Sequence, residues 1–518
     1  MQSFIQDLKY ALRTLSGSPG FTLSVVLVLA LGIGATTAIF SLVDATLIRP
    51  LPFADPDRLM MIWEDGSAMG YPKNNPAPAN YIDLRADTRA FDGIAASSMG
   101  IWNLTGGGEP IRLEGVRVTA NLAEVLGVAP ALGRFFSAAE DRDGADPVLV
   151  IRAGLWQRRF GSDPGIVGTD IVVNDLPMTV VGVMPARMPY PSSGTDIWVP
   201  MAFSDEERLR RSSHYLRIVG RLRPDVDLEF VQNDLTRIVT RLEEDYPRTN
   251  TGYGLSAEPI HVQYTGDVRS GFLLLLTAVG AVLLIACANI ANLLLVRSSG
   301  RGKEIAIRAA LGAGRRRLIG QLLTESLLLS VTGGIFGMVL ARVSFGFLST
   351  LVPAGIAGAV PIEMDLRVMI VGLAVSLTTG LAFGIIPAMS VSRVRLNETL
   401  QRMSGRVGVS GASRRIRDVL VVGEVSLSVA LLIGAGLLIR SFDSVRRVDP
   451  GYRAENVLTV RTDLSFGKYA ETSWRHGFCR EVLERVAALP GVESAGYTSF
   501  VPLTNGGGSM GFTIEGRP

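Results

Sequence analysis

A glycine–lysine pair, Gly302–Lys303, stands in the basic stretch RGKEIAIRAALGAGRRR at 301–317, which holds six Lys or Arg and one Glu. Lysine after glycine marks a phosphate-binding loop only in the frame G-x-x-x-x-G-K-[ST]. There, backbone amides cradle the phosphates and the hydroxyl holds magnesium. Here Glu304 follows the lysine, and Gly300 lies only two residues before Gly302. No Walker-type loop occurs anywhere in the sequence, so hydrolysis of ATP by this chain alone is not expected. The residues suit a mechanical role better. Glu304 and Arg308 form an i,i+4 pair in the favourable order. Ile305, Ala309 and Gly312 fall on a neighbouring stripe, while Gly312 and Gly314 let a helix end. Arg315, Arg316 and Arg317 sit where the next helix would enter a membrane, near anionic headgroups. A plain positive loop explains the charges but not the Glu304, Ile305, Arg308 and Gly312 arrangement.

Other groups with chemical potential are few. Asp141, Asp143 and Asp146 form an acidic loop of a kind that can hold calcium, although a solvated turn is the plainer reading. Glu325 and Glu424 fall inside apolar runs, where acids are expensive and often functional; both lie near the cytoplasmic ends of their runs, where hydration or pairing would serve them. Cys287 and Cys479 fit neither a disulfide framework nor a zinc site. His214, His261 and His476 are scattered. The segment 44–271 shows no nucleophile elbow, zinc spacing or convincing carboxylate pair. Neither an enzyme nor a cofactor site is expected.

The elements that must carry these residues follow from the apolar runs. The chain is 47% hydrophobic and 19% charged, with mean hydropathy +0.31. That balance suits spanning helices joined to a water-facing domain. A net charge of +3 points to no nucleic-acid partner. Crossing a bilayer takes about 20 mostly apolar residues, and five stretches qualify: 21–43, 272–296, 322–341, 368–390 and 419–439. All are rich in Gly, Ala, Ser and Thr, which lets helices approach closely in lipid. The first is too long for a signal-peptide core and has no good cleavage site, so it reads as an uncleaved span. Before it, Phe4, Leu8, Ala11, Leu12 and Leu15 share one helical face, with Lys9 and Arg13 on another. That pattern predicts a helix lying on the membrane surface.

Charge sets the expected orientation. Seven basic residues against Glu304 lie between the second and third runs, and seven against Glu398 between the fourth and fifth. The loop from Arg342 to Arg367 adds only Glu363 and Asp365 to those two arginines, and Arg342 reads as the outer end of the third span. The basic loops and the amino terminus are therefore expected in the cytoplasm, and 44–271 outside.

Within 44–271, DPVLVI at 146–151 reads as a strand and GLWQRRFG at 154–161 as a short helix. TDIVVNDLPMTVVGVMP at 169–185 reads as a hairpin around Asn174–Asp175. Strand then turn is expected at 215–227. Leu228, Val231, Leu235, Ile238 and Leu242 give 228–245 helical spacing. The class is membrane α-helical with an α+β external domain, of one or two subdomains. After the fifth run come a linker and strand, then a helix bearing Trp474, Phe478, Val482 and Val486, and another strand. The order of one span, an external domain and three spans, then a span and the start of another domain, is the layout of an internal duplication whose second copy looks truncated.

At this point the residues resemble a known family, the ABC-transporter permeases of the MacB/FtsX type. RGKEIAIRAALGAGRRRLIGQLLTESLLLSVTGGIFG is similar to that family's cytoplasmic segment between its second and third spans. FGIIPAMSVSRVRLNETL resembles the end of its fourth. GVAPALGRFFSAAED, LWQRRFGSDPGIVG and MTVVGVMP resemble its external core. The opening DLKYALRTLSGSPGFTLSVVLVLALGIGATTAIFSLVDATLIRPLPF and the duplication resemble the subgroup of duplicated orphan permeases. The resemblance implies a surface helix at 1–20, a span at 21–43 and a MacB-like periplasmic core domain at 44–271. An FtsX-like permease domain at 272–390 would follow, with a coupling helix at 297–318. A cytoplasmic linker at 391–417, a span at 418–440 and the start of a second periplasmic domain at 441–518 complete it. It further implies a bacterial inner-membrane location and docking of a separate ATP-binding subunit through Glu304, Ile305, Arg308 and Gly312. A periplasmic adaptor, or a peptide or lipoprotein cargo, would be a further partner, and two copies would act as a dimer or an intrachain pseudo-dimer. Two rivals stand beside this reading: a membrane sensor that passes no cargo, and a membrane-anchored enzyme acting through 44–271.

Overall fold

The computed structural model describes residues 2–67, 70–106, 109–300, 315–351, 364–392, 411–452, 455–462, 464, 469 and 471–498. They fall in two compact units, Met1–Asp57 with Glu258–Leu438, and Arg58–Ala257 with Ile439–Pro518.

In chain order the helices are α1 (Gln2–Ser16), α2 (Pro19–Val43), α3 (Pro78–Asp87), α4 (Leu122–Leu126), α5 (Ala153–Phe160), α6 (Asp205–Leu209) and α7 (Leu228–Asp245). Then come α8 (Pro247–Asn250), α9 (Ile260–Gly300), α10 (Arg315–Leu351), α11 (Leu366–Ser392), α12 (Gly411–Arg446) and α13 (Thr472–Ala487). The strands are β1 (Leu59–Gly66), β2 (Tyr71–Asn74), β3 (Phe91–Leu104), β4 (Ile111–Val118), β5 (Leu132–Gly133) and β6 (Val148–Arg152). They continue with β7 (Asp170–Val173), β8 (Leu176–Met184), β9 (Ile197–Pro200), β10 (Arg217–Leu222) and β11 (Gly254–Pro259).

The water-facing unit is one mixed sheet in the order β11-β1-β10-β3-β4-β9-β6-β8-β5, with β2 on β1 and β7 bridging β3 and β8. β4–β9 and β6–β8 run parallel. The sheet carries two apolar cores, which makes two subdomains of one sheet. In the first, Val231, Leu235, Ile238 and Leu242 of α7 close over Met60, Ile62, Phe91 and Ile94. These α7 positions repeat at helical spacing, so one face meets the strands. In the second, Leu149 and Ile151 of β6 meet Val180 and Val183 of β8, with Leu155 of α5 above them. The β7–β8 hairpin turns at Asn174 and Asp175, whose φ of 51° and 65° are the left-handed pair a two-residue turn demands.

In the helical unit, five described helices are long and apolar enough to cross a bilayer: Pro19–Ile48, Val268–Arg297, Ile319–Leu348, Leu366–Ile385 and Arg417–Arg446. Helix α9 has 41 residues and α10 has 37. At 1.5 Å per residue each is well over 50 Å long, against about 30 Å of hydrocarbon. Helix α10 also runs past Arg342 to Leu351, so that arginine lies within a helix rather than ending one. On α1, Ala11 and Leu15 are buried but Leu12 is 53% exposed. The apolar face read from the sequence is therefore split: one edge meets protein and the other does not.

The strands expected after α12 are not formed among the described residues. Residues 455–462 and 491–498 carry no strand assignment, and α13 has no buried residue. A strand is stable only with a ladder partner for its N–H and C=O groups, and among the described residues no ladder forms along either segment.

Asn174 does more than turn the chain. Its Oδ1 accepts the Asn103 N–H at 2.9 Å, and its own N–H donates to Asn103 O at 2.8 Å. Asn174→Ala would strand a backbone donor and place a Cβ residue with no local acceptor at positive φ. The expected loss is about 2 kcal/mol of domain stability, with Asn174→Asp losing less than half of that, read from denaturant unfolding.

Candidate functional site

The helical unit is organised by small residues. Helices α2 and α10 cross so closely that a methyl on Gly34 would stand 2.9 Å from Gly337 O, and one on Gly337 would stand 2.9 Å from Gly34 N. Between α10 and α11 a polar seam runs beside this crossing. Ser376 Oγ donates to Ser330 O at 2.7 Å, and Ser330 Oγ donates in return to Ser376 O. Gly334 faces Ser376, Gly380 faces Ser330 and Gly384 faces Ser326. In lipid, apolar surface gives helices little reason to associate, so close backbone approach and such hydrogen bonds hold them. Leu15, Val25, Leu29, Ile33, Ile290, Leu329 and Phe383 fill the remaining core.

A charged latch closes α2. After Val43 the helix passes into a π-turn over Asp44–Ile48, and Arg49 N donates to Asp44 O at 2.7 Å. That i,i+5 bond is the signature of a π-turn, and it brings Arg49 back beside Asp44. Arg49 Nη2 reaches Asp44 Oδ2 at 3.2 Å and Asp365 Oδ2 at 2.6 Å. Asp365 in turn accepts the Val368 N–H at 3.0 Å through Oδ1, capping α11. Asp44 is 2% exposed, and Arg49 is the cation paired with it there. A second latch lies at Arg297, near the end of α9. Its Nη2 donates to Thr14 O at 3.2 Å and Ser18 Oγ at 2.7 Å, and its guanidinium lies 4.4 Å from the Phe21 ring centroid.

Residues 22–238 match the family model described as MacB-like periplasmic core domain, and residues 276–396 match that described as FtsX-like permease C-terminal. Together they take in well over half of the chain, in the order found in the structure. The chain belongs to the ABC-transporter permeases of the MacB/FtsX type.

This MacB/FtsX-type permease is 26% identical over 411 residues to the macrolide export ATP-binding/permease protein MacB of Nitrobacter winogradskyi, covering 75% of this chain and 57% of that one. It is 30% identical over 272 residues to the pyoverdine export ATP-binding/permease protein PvdT of Pseudomonas syringae, covering 51% and 39%. The chain thus spans about half the length of the curated relatives it matches. The solved periplasmic region of MacB from Actinobacillus actinomycetemcomitans covers 40% of this chain and 92% of its own, at 14% identity and a TM-score of 0.31, a likeness too slight to build on.

Glu304, Ile305, Arg308 and Gly312 lie in 301–314, outside the described residues, with α9 ending before them and α10 beginning after. Glu325 is buried on α10, next to the Ser326 that packs on Gly384. Glu424 is half-buried on α12. The acidic loop divides its work. Asp143 and Asp146 are exposed, whereas Asp141 accepts the N–H groups of Ala120 at 2.9 Å and Ala202 at 2.7 Å. Among the described residues no three His, Cys, Asp or Glu gather as a metal site. Neither latch was found from the sequence. Asp44 and Arg49, opposite charges five apart at the end of an apolar run, were the available signal, but five is a poor spacing in an α-helix.

One titratable pair of the sheet unit ties stability to pH. Glu64 of β1 is 2% exposed and meets His214 Nδ1 at 2.6 Å. Its Oε1 accepts from Asn80 Nδ2 at 2.8 Å and Ala77 N at 3.2 Å. The Glu64 hydrogen bond raises the His214 pKa above 6.5, against the opposing effect of burial. A raised folded-state value means the bond adds stability fully below the ordinary imidazole range and loses it as pH rises through the folded value. Thermal stability of the full chain is therefore expected to fall as pH rises above the ordinary imidazole range, and His214→Gln should flatten that slope. An equal slope in both would remove His214 as its source.

The Arg49 latch gives a sharper test. Arg49→Met leaves a buried carboxylate without its cation and should destabilise the bundle by about 3 kcal/mol. Asp44→Asn added to Arg49→Met should recover most of that, measured by thermal unfolding in detergent. If the double variant is as unstable as the single, the charge of Asp44 is not what Arg49 answers.

Proposed function

We propose that this chain is the membrane subunit of a bacterial ABC system whose ATP-binding subunit is a separate protein. The observation that carries the reading is the joining of a MacB-like core domain and an FtsX-like helical module in a chain with no phosphate-binding loop. The relatives' names, ATP-binding/permease proteins for macrolide or pyoverdine export, support export as the outcome. In this reading the amino terminus and both basic loops are cytoplasmic, and the 301–314 segment docks on the ATPase through Glu304, Ile305, Arg308 and Gly312. ATP-driven dimerisation of the ATPase would move that segment, and the bundle would pass the motion to the external domain. The chain itself would catalyse no reaction. The duplicated layout supports two internal copies presenting two docking segments to one ATPase dimer. A periplasmic adaptor, or a peptide or lipoprotein cargo, would meet the external domain.

The test is recovery of cytosolic partners with the tagged full-length protein from native membranes, identified by mass spectrometry. An ATP-binding subunit is expected with the parent, and recovery is expected to fall at least about tenfold with Ile305→Asp/Arg308→Glu, the loss of one well-packed docking contact. If no such subunit accompanies the parent, the docking reading fails and a sensor without cargo takes its place.

A further inference from the structure

We propose that a charged cleft of the sheet unit binds the carboxylate end of a short peptide, with a basic side chain of that peptide seated beside it. The proposal rests on the reading in which a peptide meets 44–271, and it gives that meeting a place and a chemistry.

The cleft has a volume of about 640 Å³, within the range of about 300–1,000 Å³ common to ligand sites. Three pieces of chain build it. Strand β4 supplies Arg112 and Glu114, which stand two apart and so share one face of the strand. The junction of β6 and α5 supplies Arg152, Gly154 and Arg158, the last two one helical turn apart. The loop before β9 supplies Asp196. Main-chain bonds lock the three together. Asp196 N donates to Glu114 O at 2.7 Å, and Arg152 N donates to Asp196 O at 2.8 Å.

The arginines are placed for an anion. Arg152 is half-buried, and its guanidinium is fixed by neutral carbonyls. Its Nε and Nη2 donate to Ala186 O at 3.2 and 2.6 Å, and its Nη1 donates to Ser193 O. Burial pushes the Arg152 pKa down, and the charge of Arg158 adds to that push against the pull of Asp196. Arg158 reaches Asp196 Oδ1 only at 3.3 Å, long for an ion pair, and its side chain is 70% exposed. A second cation thus stands beside a fixed one, with a single carboxylate shared between them. Helix α5 begins at the same place, and its N-cap residue Arg152 makes no side-chain cap, so the positive end of the helix adds to the field.

The lining also selects among anions. Three arginines against Glu114 and Asp196 leave one net positive charge. A single carboxylate balances that charge, and its two oxygens match the guanidinium fork. A phosphate dianion would exceed it and stand beside Glu114. Glu114 is exposed, and among the described residues it makes no ion pair. Gly194 lets its Oε2 lie close against the chain, where any side chain would collide with it. That acid is the seat for a cation carried by the ligand itself. A chain-end carboxylate beside a basic side chain supplies both charges.

The test is calorimetric titration of the full-length protein in lipid nanodiscs with an acetylated alanine–lysine–alanine peptide. The form with a free carboxylate is expected to bind at least about tenfold more tightly than its terminal amide, the worth of one charge-assisted pair. Arg158→Gln should remove that difference, and Arg158→Lys, which keeps the charge but not the fork, should restore part of it. Arg158 is largely exposed, so its loss costs the fold little. Glu114→Gln should remove the preference for lysine over norleucine in the peptide. Equal affinity for acid and amide would overturn the proposal, and so would inorganic phosphate that displaces the peptide at equal concentration. Peptide binding that Arg158→Gln leaves unchanged would overturn the cleft and keep the peptide reading. No saturable binding of either peptide would overturn both.

Discussion

Two backbones touch where Gly34 of α2 meets Gly337 of α10, and the rest of the helical unit is arranged around that touch. Any side chain at either position would push the helices apart, because the obstacle is main chain and has no rotamer by which to yield. Separation would matter twice. The apolar core of Leu29, Ile33 and Leu329 lies beside the crossing and would open. The end of α2 would also swing, and with it Arg49, whose reach to Asp365 depends on where α2 stands against α11. In water a hydrophobic driving force would pull such a gap closed, whereas in lipid the acyl chains fill it equally well. The glycine pair is therefore a condition for the bundle, where in a soluble protein it would be one favourable contact among many.

Acidic residues, which attract attention as chemistry, serve this chain chiefly as clamps. Asp44 orders the turn after α2. Glu64 gathers His214, Asn80 and the Ala77 amide around the start of α3. Asp234 accepts from Thr88 Oγ1 and from the Arg89 and Ala90 amides, fixing the approach to β3, while Arg237 holds its other oxygen. Asp141 ties two more loops through Ala120 and Ala202. A sheet of many short strands leaves many loop amides without ladder partners, and a carboxylate can satisfy two or three of them at once. That demand accounts for the placing of these acids.

What could be read from the sequence follows the same physics. The apolar runs announced the spans, because nothing else makes 20 residues so uniformly apolar. Leu228 to Leu242 announced α7 by spacing, and Asn174–Asp175 announced its hairpin, because few residues tolerate two successive left-handed conformations. Helix lengths were not legible. The polar ends of α9 and α10 stay helical beyond the apolar stretch, and propensity does not mark where they stop. The π-turn was hidden because it contradicts the helical spacing by which Asp44 and Arg49 would be judged. Arg297 was visible only as one basic residue among seven, since its partners, Thr14, Ser18 and Phe21, lie some 280 residues away in the chain. The strands expected after α12 show the converse: the pattern was present, but among the described residues no ladder formed on it.

Helices α2 and α12 share a spacing of residues as well as an apolar length. Helix α2 carries Gly32 and Gly34, then Phe40 and Val43; α12 carries Gly434 and Gly436, then Phe442 and Val445, at the same spacings. In α2 both glycines are in use: a methyl on Gly32 would stand 3.1 Å from Leu283, and Gly34 meets Gly337. In α12 a methyl on either glycine would find no atom within 4 Å. A span selected only for crossing lipid has no need of two glycines, which weaken a helix by about 1 kcal/mol each. In α12 they repeat the spacing that lets α2 dock on α10, on a helix whose glycines meet no described neighbour.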